Sequence, residues 1–376
     1  MSADADTGTA RQRGGPLAGV RVIEMDGQGP LPFCGMILAD LGADVVTIGR
    51  PGRPGRPAPR GVPDFFGRGK QTLELDLKSQ SGVAEVRRLA ESADVLTEGF
   101  RPGVMERLGL GPDTLLPLAP RLVYGRITGW GQSGPLAQQA GHDINYIGLA
   151  GALEPIGRSG SDPVPPLALV GDFGGGGLLL AMGICAALVE RGTSGQGQVV
   201  DAACVDGASL LMTVVHWMRA AGRWQDERGT NLFDSGAPFY DVYRTADDKY
   251  VSVGAVEPRF YDDLVKLLGI DAELMYPQYD RTAWPRRKPL VAEAIASATR
   301  DEWVRRAAGG DACLSAVLSP AEVASHPHHQ ARASFLPVDG STAVQPAPAP
   351  RFGRTPASAG PVPTPLDSSG GTRRWT

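Results

Sequence analysis

The chain has 376 residues, 42% of them hydrophobic, which is enough for two domains with substantial cores. Its formal net charge of −4 gives no basis for general binding to nucleic acid or membrane surfaces, so an anionic ligand requires a local basic patch. "MSADADTGTARQRGG" lacks a secretory apolar stretch and no apolar run is expected to span a bilayer. Cys34, Cys185, Cys204 and Cys313 form no C-x-x-C pair, so a cytoplasmic protein with reduced thiols is expected, without zinc or a disulfide framework.

Residues 1–15 are polar and are expected to be disordered. "GVRVIEM" then reads as a buried strand, "LPFCGMILADLG" as a helix and "ADVVTIGR" as a second strand. A strand, a helix and a strand at short spacing imply a parallel sheet with a crossover helix. The alternation continues through "TLELDL", the helical "SGVAEVRRLAESA", the strand "DVLTEGF", the short helix "GVMERLG" and the strand "RLVYGRITGW". This predicts an α/β, doubly wound domain over 16–200, with a basic loop rich in proline and glycine at 52–63. A linker helix over 201–235 is expected to lead to a smaller α+β domain at 236–325, in which "GAPFYDVYRTADDKYVSVGAVE" forms two strands. Residues 326–376 form a return segment and a proline-rich tail. No repeat of fixed period is present.

A nucleotide site is the first idea for such a sheet, but Gly27-x-Gly29-x-x-Pro32 lacks the third glycine of the dinucleotide fingerprint, and no G-K-[ST] is present. In "LVGDFGGGGLLLAMGICAALVE", Asp172 is expected to end a short strand, with four glycines opening an apolar helix. The aspartate is then either an N-cap with glycines that allow close packing, or a base or nucleophile beside free helix N–H groups. His142 is either a satisfied core histidine or an acid/base group. Glu257 is either a helix cap or a partner in chemistry. His216 beside Trp217 reads as structural, and "HPHHQ" as a loop without the ligand spacing of a metal site. Basic residues gather early: Arg50, Arg53, Arg56, Arg60, Arg68, Lys70 and Arg101 make either a solvated face or a dock for a phosphate-bearing ligand.

Taken together, "GPLAGVRVIEM", "MILADLGADVVTIGRPG", "RGKQTLELDLKS", "ADVLTEGFRPGVMERLGLGPD", "AGHDINYI", "PVPPLALVGDFGGGG", "GQGQVVDAACVDG" and "VSVGAVEPRFY" resemble the class III coenzyme A-transferase superfamily. "GHDINY" followed by "GDFGGG" is similar to its α-methylacyl-CoA racemase branch. The resemblance implies a Rossmann-like large domain, a small domain and an interlocked homodimer. It also implies an acyl-CoA substrate, with the site between the large domain of one chain and the small domain of the other.

By the same resemblance, His142 and Asp172 flank the acyl α-carbon and Glu257 bonds the histidine. Inversion needs one group to remove a proton from one face while another delivers a proton to the opposite face. N–H groups at the start of the Gly174–Gly177 helix, Gly174 and Gly175 among them, would stabilise the enolate, and Arg50, Arg101 and Lys70 would hold the CoA phosphates. No metal or redox cofactor is called for; CoA enters as the substrate's thioester. Two departures stand out. Ala168 occupies a place where racemase relatives carry an asparagine, and Thr47 and Gly49 replace charged residues. The alternatives are a true CoA-transferase, in which Asp172 attacks the thioester and becomes an acyl anhydride, and an inactive acyl-CoA binder.

Overall fold

The computed structural model describes residues 14–52, 63–338, 341–361 and 364–366. The expected disordered N-terminus (1–13), most of the arginine-rich loop (53–62) and the end of the tail (367–376) lie outside the described residues. The chain divides into two compact units. One is Met1–Ala150 with Leu167–Leu211 and Ala333–Thr376, and the other is Gly151–Pro166 with Met212–Arg332.

The first unit opens with β1 (Arg21–Met25), α1 (Pro30–Asp40), β2 (Asp44–Gly49), β3 (Lys70–Glu74), α2 (Gln80–Ser92) and β4 (Val95–Glu98). It continues with α3 (Val104–Arg107), α4 (Pro112–Leu118), β5 (Val123–Thr128) and α5 (Asp143–Leu149). Neighbouring side chains of β1 show why the sheet is covered on both faces. Val22 packs with Leu31, Leu38 and Ile184 on one side, while Ile23 packs with Leu89, Leu96 and Leu115 on the other. Pro30 opens α1, where its fixed φ suits a first helical position and its missing N–H costs nothing.

The strand expected to end at Asp172 is absent. Leu167 and Ala168 both turn with φ 59°, and a π-helix (Leu169–Leu178) begins directly after them. It runs without interruption into α6 (Leu179–Ser194). The resulting helix has 26 residues and is long and apolar enough to cross a membrane by length and composition, which corrects the expectation that no run reaches that length. Within this unit it packs against α1 and the strands, and Leu180 and Ile184 are fully buried in the core.

β6 (Val199–Ala203) is followed at once by α7 (Cys204–Leu211). A Cβ on Gly207 would lie 1.9 Å from the Gly175 carbonyl oxygen, so the π-helix and α7 meet backbone to backbone. The single linker helix expected over 201–235 is therefore β6, α7 and a separate α8 (Thr213–Ala220). The boundary between the units falls between Leu211 and Met212.

The second unit holds α8, the antiparallel strands β7 (Tyr240–Arg244), β8 (Tyr250–Gly254) and β9 (Leu314–Val317), and five further helices. In chain order these are α9 (Pro258–Leu268), α10 (Ala272–Met275), α11 (Trp284–Ala296), α12 (Arg300–Ala307) and α13 (Pro327–Ala331). Phe239, Tyr261, Trp284 and Trp303 fill its core. It also takes residues 151–166, which fall within the 16–200 range expected for the large domain. Arg158 explains this placement, because its guanidinium makes two hydrogen bonds of 3.0 and 2.9 Å to the buried Asp241 carboxylate.

The return segment rejoins the first unit through the antiparallel pair β10 (Phe335–Pro337) and β11 (Val344–Pro346), and then β12 (Thr364–Pro365). The main sheet has the order β12-β3-β2-β1-β4-β5-β6, and every pairing in it is parallel. Its central run is the Rossmann order, with the direction of winding changing between β1 and β4.

Candidate active site

Open parallel sheets bind ligands at the carboxyl ends of their strands, at the point where the winding reverses. Here that point lies between the loop after β1, which carries Gly29, and the loop after β4, which carries Arg101. The π-helix comes to the same place. A Cβ on Gly29 would lie 3.2 Å from Oδ2 of Asp172, so the carboxylate rests against the β1–α1 loop.

Asp172 is brought to His142 by the residue beside that histidine. His142 is the N-cap of α5, and its backbone N–H donates to Oδ1 of Asn145 at 3.0 Å. Asp143 follows as the first helical residue, and only 6% of it is exposed. Its Oδ1 accepts hydrogen bonds of 2.7 Å from the N–H of Gly171 and 2.7 Å from the N–H of Asp172. Burial pushes the Asp172 carboxyl above the usual carboxylate range; the Asp143 charge adds to the rise, and His142 opposes it. His142 itself is exposed, and Asp172 is half-buried. Sequence reasoning missed Asp143, although it is the third residue of the "GHDINY" stretch.

The Gly174–Gly177 amides do not open a helix. The π-helix starts at Leu169, so these N–H groups lie inside it and are directed to carbonyls five residues back. Gly174 and Gly175 therefore serve close packing, with Gly175 against Gly207 and Ala208 of α7. The first turn of α5 offers an alternative. The first intrahelical bond there is donated by Asn145, so the N–H groups of Asp143 and Ile144 precede it.

An apolar wall stands beside Asp172. Phe173 packs edge-on against Phe33 of α1, with ring centroids 5.0 Å apart, and stacks on Phe66 at 5.9 Å. All three rings remain partly exposed.

The early cations separate into two groups. Arg50 follows β2 and Arg101 follows β4, both exposed at strand carboxyl ends. Lys70 and Arg68 face inward, contrary to the expected solvated or phosphate-binding face. Lys70 is 3% exposed and its amine donates to both carboxylate oxygens of Glu24 (2.8 and 2.7 Å) and to the Pro32 carbonyl (2.9 Å). Those three bonds use all of its donors, because Lys70 begins a strand buried between neighbours. Arg68 pairs with Asp40 and reaches Gln345 and the Pro346 carbonyl of the return segment. Arg53, Arg56 and Arg60 lie outside the described residues.

A cavity of about 660 Å³ supplies cations that the sequence reading did not single out. It is lined by Lys78, Ser79, Arg87, Arg88 and Arg107, with Glu91. Arg87 is held by the Gly109 carbonyl and Arg88 by Glu85. The exposed side chains of Lys78 and Arg107 make no hydrogen bond among the described residues. Both residues stand in the quoted stretches "RGKQTLELDLKS" and "RPGVMERLG", which was the available signal.

Glu257 belongs to the second unit, where it is exposed at the N-cap position of α9. Among the described residues no group of three or more His, Cys, Asp or Glu side chains is arranged to hold a metal ion.

The profile of CoA-transferase family III matches residues 17–367. The α-methylacyl-CoA racemase of Mus musculus is 48% identical over 341 residues, covering 91% of this chain and 87% of that protein. The α-methylacyl-CoA racemase of Homo sapiens is 46% identical over the same length and coverage. Among solved structures, a CAIB/BAIF family protein from Brucella suis superposes with a TM-score of 0.79 at 26% identity, covering 95% of this chain and 98% of that one. A parallel sheet of Rossmann order, a carboxylate at its switch point and this likeness over nearly the whole chain lead to one assignment: the chain belongs to CoA-transferase family III.

Proposed function

We propose that the chain is an α-methylacyl-CoA racemase, inverting the α-carbon of 2-methylacyl-CoA thioesters by proton transfer through an enolate. One observation carries the reading. Two groups able to exchange protons, His142 and Asp172, are gathered at the switch point of the sheet by hydrogen bonds through Asp143. A transferase acting through an Asp172 anhydride needs the carboxylate but no second proton carrier. The 46–48% identity to the curated racemases supports the same choice.

In this mechanism Asp172 removes the α-proton from one face and His142 delivers a proton to the other, with the roles exchanged for the opposite enantiomer. The raised Asp172 carboxyl is the stronger base for this work. Negative charge on the thioester oxygen falls to the N–H groups of Asp143 and Ile144 at the start of α5. The Phe33, Phe66 and Phe173 rings suit an apolar acyl chain, and Arg50, Arg101, Lys78 and Arg107 suit the CoA phosphates. Glu257 would bond His142 from the small unit of a second copy in an interlocked homodimer, fixing the imidazole tautomer.

The test is deuterium incorporation from D₂O into each pure enantiomer of a 2-methylacyl-CoA, without any CoA acceptor. The wild type should exchange both. Asp172→Asn should exchange one enantiomer without inversion, and His142→Ala only the other, each losing racemisation by ~10²–10⁴-fold. Loss of exchange for both enantiomers in Asp172→Asn, together with acceptor-dependent CoA transfer, would support the transferase instead. Equal exchange of both enantiomers by His142→Ala would remove His142 from the mechanism.

A further inference from the structure

The two proton carriers are 30 residues apart, and neither side chain is hydrogen-bonded to the other among the described residues. What joins them is Asp143. Its backbone is continuous with His142, and its carboxylate takes both N–H groups at the first turn of the π-helix. Those two amides, on the third and fourth residues of a π-helix that follows two left-handed residues, have no carbonyl of an earlier turn to receive them.

Gly171 shows that the approach is built in. A Cβ there would lie 2.6 Å from Oδ1 of Asp143 and 3.0 Å from Ile147, so only glycine lets the carboxylate reach both amides. The clamp also answers the departure at position 168. Ala168 has no side-chain polar group to hold the Asp172 loop, and its backbone carbonyl instead receives the Phe173 N–H at 3.4 Å. The loop is tied from the opposite side, by Asp143.

We propose that Asp143 is a positioning residue for both proton carriers, its buried carboxylate clamping the start of the π-helix onto the start of α5. The proposal rests on the racemase reading for its kinetic consequence, although the clamp itself does not. A neutral acceptor would hold the same two amides, so the negative charge has a second effect: it disfavours ionisation of Asp172. The ionisable groups coupled to Asp172 are His142 at the N-cap of α5, Asp143 and Tyr146 of α5, and Cys204 of α7; α1 presents Phe33 to the neighbouring Phe173. Of these, Asp143 is the one whose charge raises the carboxyl of Asp172 at neutral pH, and His142 opposes it.

The experiment compares Asp143→Asn, which keeps an acceptor oxygen, with Asp143→Ala, which removes it. Amide hydrogen exchange is read by mass spectrometry on peptides covering 168–178, and kcat, KM and the pH profile are read from racemisation. Asp143→Ala should lose protection in that segment and ~10–100-fold in kcat, with KM within about twofold, as expected when a reacting group is misplaced. Asp143→Asn should keep the protection and most of kcat. Its acid limb, for the enantiomer that uses Asp172 as base, should move to lower pH, because the charge that raises the Asp172 carboxyl is gone. Unchanged protection in Asp143→Ala would overturn the clamp. So would equal losses of kcat, KM and melting temperature in both variants, which is what a merely structural residue gives. A wild type that exchanges no α-proton would overturn the racemase reading alone, and the amide exchange would still decide the clamp.

Discussion

Gly29 and Asp172 face each other across the switch point of the sheet: a Cβ at position 29 would press on the carboxylate and push it aside by a few tenths of an ångström. An added Cβ would lie 3.2 Å from Oδ2, and the backbone there has φ 64°. Gly29→Ala should therefore do two things. At φ 64° and ψ −117° the backbone lies in a region that residues with a Cβ rarely adopt, which costs ~1–3 kcal/mol and lowers the melting temperature by several degrees. The displaced carboxylate should reduce kcat by ~10-fold or more while KM changes little. Parallel thermal melts and racemisation kinetics check both effects; a wild-type kcat would show that Asp172 is not held at this loop.

The basic cavity predicts a binding phenotype. Lys78→Ala and Arg107→Ala each remove a cation with no internal partner among the described residues, so folding should be spared. If each holds a CoA phosphate, the lost charge-assisted bond costs ~1.5–3 kcal/mol, or roughly a 10–150-fold rise in KM with kcat nearly unchanged. Arg101→Ala should behave in the same way. The rise should shrink as ionic strength increases, because screening weakens the wild-type contact first. Unchanged KM for acyl-CoA in all three variants would move the phosphate site elsewhere.

Lys70 should behave in the opposite way. Its amine is buried with Glu24, and Thr47 Oγ1 donates to the same carboxylate at 2.9 Å. Lys70→Met leaves that carboxylate buried and unpaired, at a cost of ~3–5 kcal/mol, whereas Lys70→Met with Glu24→Leu should regain most of the loss. Chemical denaturation of the single and double variants tests this. A stable Lys70→Met enzyme with a raised KM would return Lys70 to the list of phosphate ligands.

Asp172 makes a pH prediction whose sign follows from its environment. Its carboxyl is raised, chiefly by burial, so the folded state disfavours the charged form. That penalty is absent below the unfolded pKa of about 4, where the group is neutral in both states, and is complete once pH exceeds the folded pKa. Asp172→Asn, inactive in racemisation, should therefore melt above the wild type at pH 7–8, and the gap should close towards pH 4. A variant that melts below the wild type at neutral pH would mean that the charged carboxylate has a stabilising partner.

Much of the first unit was legible because its determinants are local. Apolar runs of β1, β2, β4 and β5, broken by glycines and by helices of period 3.6, specify a parallel sheet whatever the rest of the chain does. The placement of Arg50 and Arg101 at strand ends follows from the same alternation. "LVGDFGGGG" was read wrongly because a short apolar run rich in glycine fits a strand end and a helix start equally well. What decides for a π-helix is the pair of left-handed residues before it and the α7 backbone against Gly175, and neither is written in the segment's own periodicity.

Charge was equally ambiguous in one dimension. Lys70 and Lys78 are alike in the sequence, but the strand register buries the first against Glu24 and leaves the second at a cavity. Residue type alone left His142 and Asp172 open between structural and acid/base roles, and the family resemblance nominated them as the two proton carriers. Only the tertiary structure decided that they meet, since the bonds that gather them run between Asp143 and amides 28 and 29 residues away, across a closure that no local pattern encodes.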